Sequence, residues 1–139
     1  MKNLLLIILF PISLLSQSLH SEALNFQNNI RSYYDLSPLE YDEDLSNEAQ
    51  KWAEHLALTD DFEVSDDNYG ENIYALELEY YFSKAHNIYL EASINWVLDS
   101  EDELTLNQIK FHKAKLVGFG KAQSKRYIYV VAKYDKLSE

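Results

Sequence analysis

No cysteine occurs in the 139 residues of this chain, so its fold is held by packing and hydrogen bonds alone. The constraint is sharper because the N-terminus reads as a secretory signal. Lys2 supplies a basic start, Leu4 to Leu15 is an apolar run broken only by Pro11 and Ser13, and small residues follow at Ser16 and Ser18. That order of charge, apolar run and small residues marks a segment removed during export. Residues 1–18 are therefore expected to be the signal, and no transmembrane segment is expected after its removal. The run is shorter than the roughly 20 residues a membrane span needs. Small exported domains usually lean on disulfides because thin cores give little stability. Here 11 Tyr, 6 Phe and 2 Trp supply bulky apolar surface instead.

Charge narrows the partners. Twelve basic residues face 23 acidic ones, for a formal net charge of −11. Such a surface repels phosphate backbones and anionic headgroups, which argues against nucleic acid as a partner.

Apolar spacing predicts the elements. Leu24, Ile30, Tyr33 and Tyr34 suggest a first helix over 24–34, stopped before Pro38. Leu45, Ala49, Trp52, Ala53 and Leu56 form one stripe at helical spacing, with Asp44 as a candidate cap. Residues 59–70 read as a polar loop, followed by a short extended piece from Asn72 to Leu76. Tyr81, Ala85, Ile88, Tyr89, Ala92 and Trp96 predict a third helix. Residues 99–107 read as another loop. Two strands, near Ala114 to Lys121 and from Arg126 to Tyr134, close the chain as a hairpin. Helices mixed with antiparallel strands suggest an α+β layered sandwich.

Candidate chemistry is sparse. Without cysteine there is no thiol chemistry. Neither a nucleophile elbow nor a phosphate loop is present. His20, His55, His86 and His112 lie in separate segments, not at metal-ligand spacing.

Four segments, in order, resemble the CAP superfamily, the cysteine-rich secretory, antigen-five and pathogenesis-related proteins. Residues 27–57 are similar to the family's opening, with Asn28, Arg31, Pro38, Leu39, Leu45, Ala49, Gln50, Trp52 and Ala53 in matching places. Residues 69–74 carry its Gly-Glu-Asn turn as Gly70, Glu71 and Asn72. Residues 92–99 resemble the helix with a Trp, here Trp96, and a carboxylate three residues on. Residues 116–134 resemble the closing hairpin. The cysteine-free pattern looks most like the Golgi-associated and microbial branches.

The resemblance implies a three-layer α-β-α sandwich with a central antiparallel sheet, spanning residues 24–135. It also implies a cleft with two histidines and two glutamates that hold a divalent metal. Glu71 matches the first glutamate; read on its own, it could equally fix the turn by accepting backbone hydrogen bonds. Asp99 stands where the second glutamate belongs, one methylene shorter. Asp60 and Thr105 stand where the histidines belong, and Gln108 matches the family glutamine. An all-oxygen set of Asp60, Glu71, Asp99 and Thr105 suits calcium or magnesium better than zinc, although three carboxylates alone do not make a preorganised cage. The resemblance thus implies a secreted, non-catalytic binding module with a degenerate metal cleft. Its partner would be a lipid, a sterol or a protein surface. The alternative is a divalent-metal-dependent, hydrolase-like activity using Glu71 and Asp99 as acid and base.

Overall fold

The computed structural model describes residues 12–83, 87–99, 101 and 103–139. In chain order its elements are α1 (Ile12–Tyr33), β1 (Glu40–Tyr41), α2 (Glu43–Thr59), β2 (Gly70–Glu77), α3 (Leu78–Ser83), α4 (Ile88–Leu98), α5 (Glu103–Ile109), β3 (Leu116–Gln123) and β4 (Tyr127–Tyr134). Residues 1–11, most of the expected signal, lie outside the described residues, as does His86.

The sheet runs β1-β3-β4-β2. Its three long strands are antiparallel, whereas the two residues of β1 add to β3 in parallel. One face carries α1, α4 and α5, with Trp96, Phe119, Val130, Ala132 and Tyr134 buried between the layers. Among the described elements α2 alone covers the other face, with Ala53, Leu56, Tyr129 and Val131 buried beneath it. The expected three-layer α-β-α sandwich is thereby formed.

Several elements differ locally from the sequence reading. Helix α2 is capped by Asp42, not Asp44: the Asp42 carboxylate accepts the Leu45 N–H at 2.8 Å. Asp44 instead lies in the first turn, where it meets the positive end of the helix. The expected third helix contains two separate elements, α3 and α4. Asn87 starts the second by accepting the N–H groups of Tyr89 and Leu90. The expected loop over 99–107 contains most of α5, whose seven residues are too few to show a clear apolar period. The first helix begins earlier than expected, at Ile12.

Two glycines set how closely α2 rides on the sheet. A Cβ on Gly118 would lie 2.0 Å from the Ser46 backbone nitrogen, and one on Gly120 would lie 2.3 Å from that of Gln50. The bare strand lets the helix side chains bond its backbone. Ser46 Oγ accepts the Phe119 N–H, while Gln50 both accepts the Lys121 N–H and donates to the Lys121 carbonyl. The match is metric. Four helical residues rise about 6 Å and two strand residues about 6.6 Å, so the same step serves both elements.

The opposite layer is tied by buried polar side chains. Arg31, fully buried, donates to the carbonyls of Ser37, Ile109, Phe111 and Ala114, linking α1, the following turn, α5 and the approach to β3. Asn28 grips the Leu39 backbone through both its N–H and its carbonyl. Tyr134 donates to Gln27, which donates to Ser93 of α4.

Because its neighbour is backbone, Gly120→Ala cannot be absorbed by a rotamer change. It is expected to cost about 1–3 kcal/mol or more, read as a lowered midpoint in urea unfolding at unchanged slope.

Candidate functional site

The site forms where the loop after α2 returns to the sheet. Asp60 ends the helix in a left-handed conformation, φ 53°, with its N–H on the Leu56 carbonyl. The chain then runs back along α2. Trp52 Nε1 donates to the Glu63 carbonyl, and the His55 ring, stacked on Trp52, meets the Glu63 carboxylate. These contacts deliver Ser65 and Asp67 to the sheet.

There they meet Lys133. Glu71 and Lys133 are cross-strand partners in β2 and β4, so their side chains leave the sheet side by side. The Lys133 side chain is 1% exposed, and that of Glu71 is 5% exposed. The ammonium lies 2.5 Å from each of Asp67 Oδ2, Glu71 Oε2 and Ser65 Oγ. Its three donors are therefore matched by three oxygens. Glu71 also accepts the Ser65 N–H, and Ser65 Oγ lies 2.6 Å from the Glu71 carboxylate. The Trp52 ring closes the cluster, 5.8 Å from the ammonium. Burial pushes the Asp67 carboxyl upward, but hydrogen bonds from Lys133, the Tyr69 N–H and Ser65 outweigh it and hold its pKa below the usual range.

A groove of about 540 Å³ opens beside this cluster. Phe62 and Val64 of the loop, Leu104 of α5 and Leu137 near the C-terminus give it an apolar rim; all four are well exposed. Glu71, Thr105 and Gln108 line it more deeply. Gln108 holds the terminal segment by donating to the Lys136 carbonyl and accepting the Ser138 N–H.

Of the four expected cleft residues, only Glu71 and Thr105 share this groove. Asp60 lies in a different depression beside the β3–β4 turn and accepts a hydrogen bond from Tyr129, whose hydroxyl is pushed up to about 12 by burial and then by Asp60. Asp99 caps the end of α4 and lines a third depression with Glu22, Tyr74 and Glu91. Burial, Glu91 and Asp99 together push Tyr74 up to about 12. The Glu71–Asp99 acid–base pair is thus not assembled. Thr105 acts as a tie: its hydroxyl donates to the Trp96 carbonyl, and its own carbonyl accepts from Asn72. Trp96 in turn donates to the Ile73 carbonyl of β2. Gly70 makes room for Gln108, whose amide would lie 2.4 Å from a Cβ there.

These residues do not fit a metal of the kind the resemblance implies. Among the described residues no three His, Cys, Asp or Glu side chains are grouped to hold one. More tellingly, the carboxylate of Glu71 is already engaged by Lys133 and Ser65. Ser65 beside Lys133 has the outline of a serine–lysine dyad, yet the ammonium directs its protons at Ser65, Asp67 and Glu71, leaving no lone pair to act as base. Sequence reasoning missed Lys133, although a charge inside the apolar strand Tyr127–Tyr134 was a visible signal.

Comparison places this geometry among known proteins. The sequence model of CAP, the cysteine-rich secretory protein family, matches residues 24–134. Among solved structures, MpPR-1i is 25% identical, covering 88% of this chain and 91% of that one at a TM-score of 0.64. The hookworm platelet inhibitor is 16% identical over 88% of this chain and 71% of its own, with a TM-score of 0.68. An outer surface protein from Borrelia burgdorferi is 13% identical over 87% of this chain and 95% of its own, with a TM-score of 0.60. These last two show the shared fold alone. No curated protein matches the chain.

Lys133→Met leaves two carboxylates facing each other without their cation. It is expected to cost about 3–5 kcal/mol in urea unfolding, and a second change, Glu71→Leu, to recover part of that loss. Asp67 adds a pH signature. Its folded pKa lies below the ordinary 3.8, so its contribution is present above that value and lost as pH falls through the folded one. Acid unfolding of the wild type should therefore have a branch below about pH 4 that Asp67→Asn lacks.

Proposed function

The chain belongs to the CAP, or cysteine-rich secretory protein, family, and on that premise we propose that it is a secreted, non-catalytic module that binds a neutral lipid or sterol. The observation that carries this reading is the engagement of Glu71, the carboxylate singled out by the family resemblance, by the internal ammonium of Lys133. With that charge matched from within, the groove offers its apolar rim, not a reactive floor. Its volume of about 540 Å³ falls in the usual range for small-molecule sites, about 300–1,000 Å³.

Charge selects the headgroup. Glu63 lines the groove beside the internally matched Glu71, no basic side chain among the described residues does, and the whole chain carries −11. An anionic headgroup is repelled there, whereas a sterol or neutral lipid is not. The N-terminal pattern of Lys2 and the apolar run supports export. That one structural neighbour is an outer surface protein is compatible with it.

Native mass spectrometry of protein recovered from the culture medium tests the reading. The expected result is a bound neutral lipid, or uptake of cholesterol. Paired Phe62→Ser and Leu137→Ser changes should weaken uptake by about tenfold or more, because apolar contact area is lost without touching the core. A protein that arrives empty and takes up neither sterol nor neutral lipid sinks the proposal. Calorimetric titration with calcium, magnesium and zinc is expected to give no heat; saturable heat abolished by Glu71→Ala would restore the metal reading.

A further inference from the structure

His20 is a buried imidazole that the groove and its cluster do not use. It projects from α1 into the layer beneath, and the residue is 5% exposed. Both ring nitrogens are buried and, among the described residues, have no hydrogen-bond partner. A neutral imidazole carries one donor and one acceptor, and leaving both unmet is costly. The surrounding walls are rings. Tyr89 of α4 meets His20 edge-on at 4.5 Å, and Tyr41 of β1 and Phe119 of β3 each lie at 5.6 Å.

None of these neighbours favours an imidazolium through a negative charge. Among the described residues, the titratable groups facing His20 are the phenols of Tyr41 and Tyr89 and the ammonium of Lys121 on β3; removal of residues 1–18 adds an α-ammonium beside it, of the same sign as Lys121. Lys121 lies 5.3 Å over the Tyr89 ring and has no acidic partner among the described residues. On α1 itself, the acid nearest in sequence, Glu22, accepts a hydrogen bond from Asn87 at 3.1 Å. Asn87 also donates to the Leu19 carbonyl at 2.6 Å. These two bonds hold the start of the domain helix against α4, while Gln27, Asn28 and Arg31 anchor its later turns.

We propose that His20 is an acid-sensitive latch: on protonation it leaves its ring-lined seat, and the segment around residues 19–23 lifts from the sheet and uncovers the Tyr41, Tyr89 and Phe119 face. The sense of the pH dependence follows from the seat. Burial first, and Lys121 second, lower the histidine from its ordinary 6.5 to about 4. The open form therefore binds a proton in a range where the closed form does not. Opening is favoured progressively as pH falls from about 6.5 to about 4 and is unaffected above that window. Between pH 7.5 and 4.5 the shift amounts to on the order of a hundredfold.

Hydrogen exchange of the secreted protein at amides 23 and 24, the first to bond helical carbonyls once residues 1–18 are removed, reads this directly after correction for intrinsic rates. An intact mass first establishes that His20 is retained; a secreted chain lacking it overturns the proposal. Protection is expected to fall on the order of a hundredfold between pH 7.5 and 4.5, with a parallel rise in apolar-dye fluorescence. His20→Phe, which keeps a ring in the seat, should give a nearly flat profile. An equal loss in that variant overturns the latch. If the variant fails to fold, the wild-type carbon shifts of the His20 ring decide: protonation coupled to the loss of protection supports the latch, whereas an ordinary titration near 6.5 with protection unchanged overturns it.

Discussion

A lysine ammonium with almost no access to water must be met by oxygen atoms, and at Lys133 that requirement organises one whole side of the molecule. The strand fixes where the ammonium lies, so the oxygens must come to it. Glu71 is supplied by the sheet register, and Asp67 and Ser65 are supplied by the loop. The loop therefore follows one course, held at Trp52 and His55 on the way. That course places Phe62 and Val64 at the groove. Polar satisfaction in the core thus shapes an apolar surface outside it.

Arg31 meets the same difficulty in the opposite layer with a different solution. No carboxylate bonds its guanidinium in the described structure; four backbone carbonyls do. Its planar fork of donors suits several chain segments at once, which a compact ammonium could not span. One side chain thereby satisfies carbonyls at the irregular junctions around α5, where neither helix nor sheet would do so. In a chain without disulfides these two buried cations serve as non-covalent junctions, one on each side of the sheet.

The layers were legible from apolar spacing, and the stripe from Leu45 to Leu56 is buried much as its period predicts. The hairpin was legible too, because β-branched and aromatic residues run unbroken from Tyr127 to Val131. Short elements were not: α5 buries Ile109 and Gln108 with too few turns for a period to emerge. The cleft was legible only in part. Counting along the chain located Glu71 and Thr105, which do share a groove. The same counting could not show that Asp60 and Asp99 sit at helix ends, where the chain turns and carries each side chain into a different depression. A spacing rule describes position along the chain, while a constellation depends on direction in space.

The pairing of Ser46 and Gln50 with the backbone of β3 has a consequence for the chain among its own copies. A strand with unmet amides is a template on which another strand can grow, and fibres begin from such edges. Beyond the two residues covered by β1, the Phe119 and Lys121 amides are already taken by helix side chains. A foreign strand arriving there would have to displace the α2 side chains before it could bond those two amides. The tight helix–strand seat is in this sense a barrier to self-assembly, achieved without a covalent cross-link and dependent on two missing methyl groups.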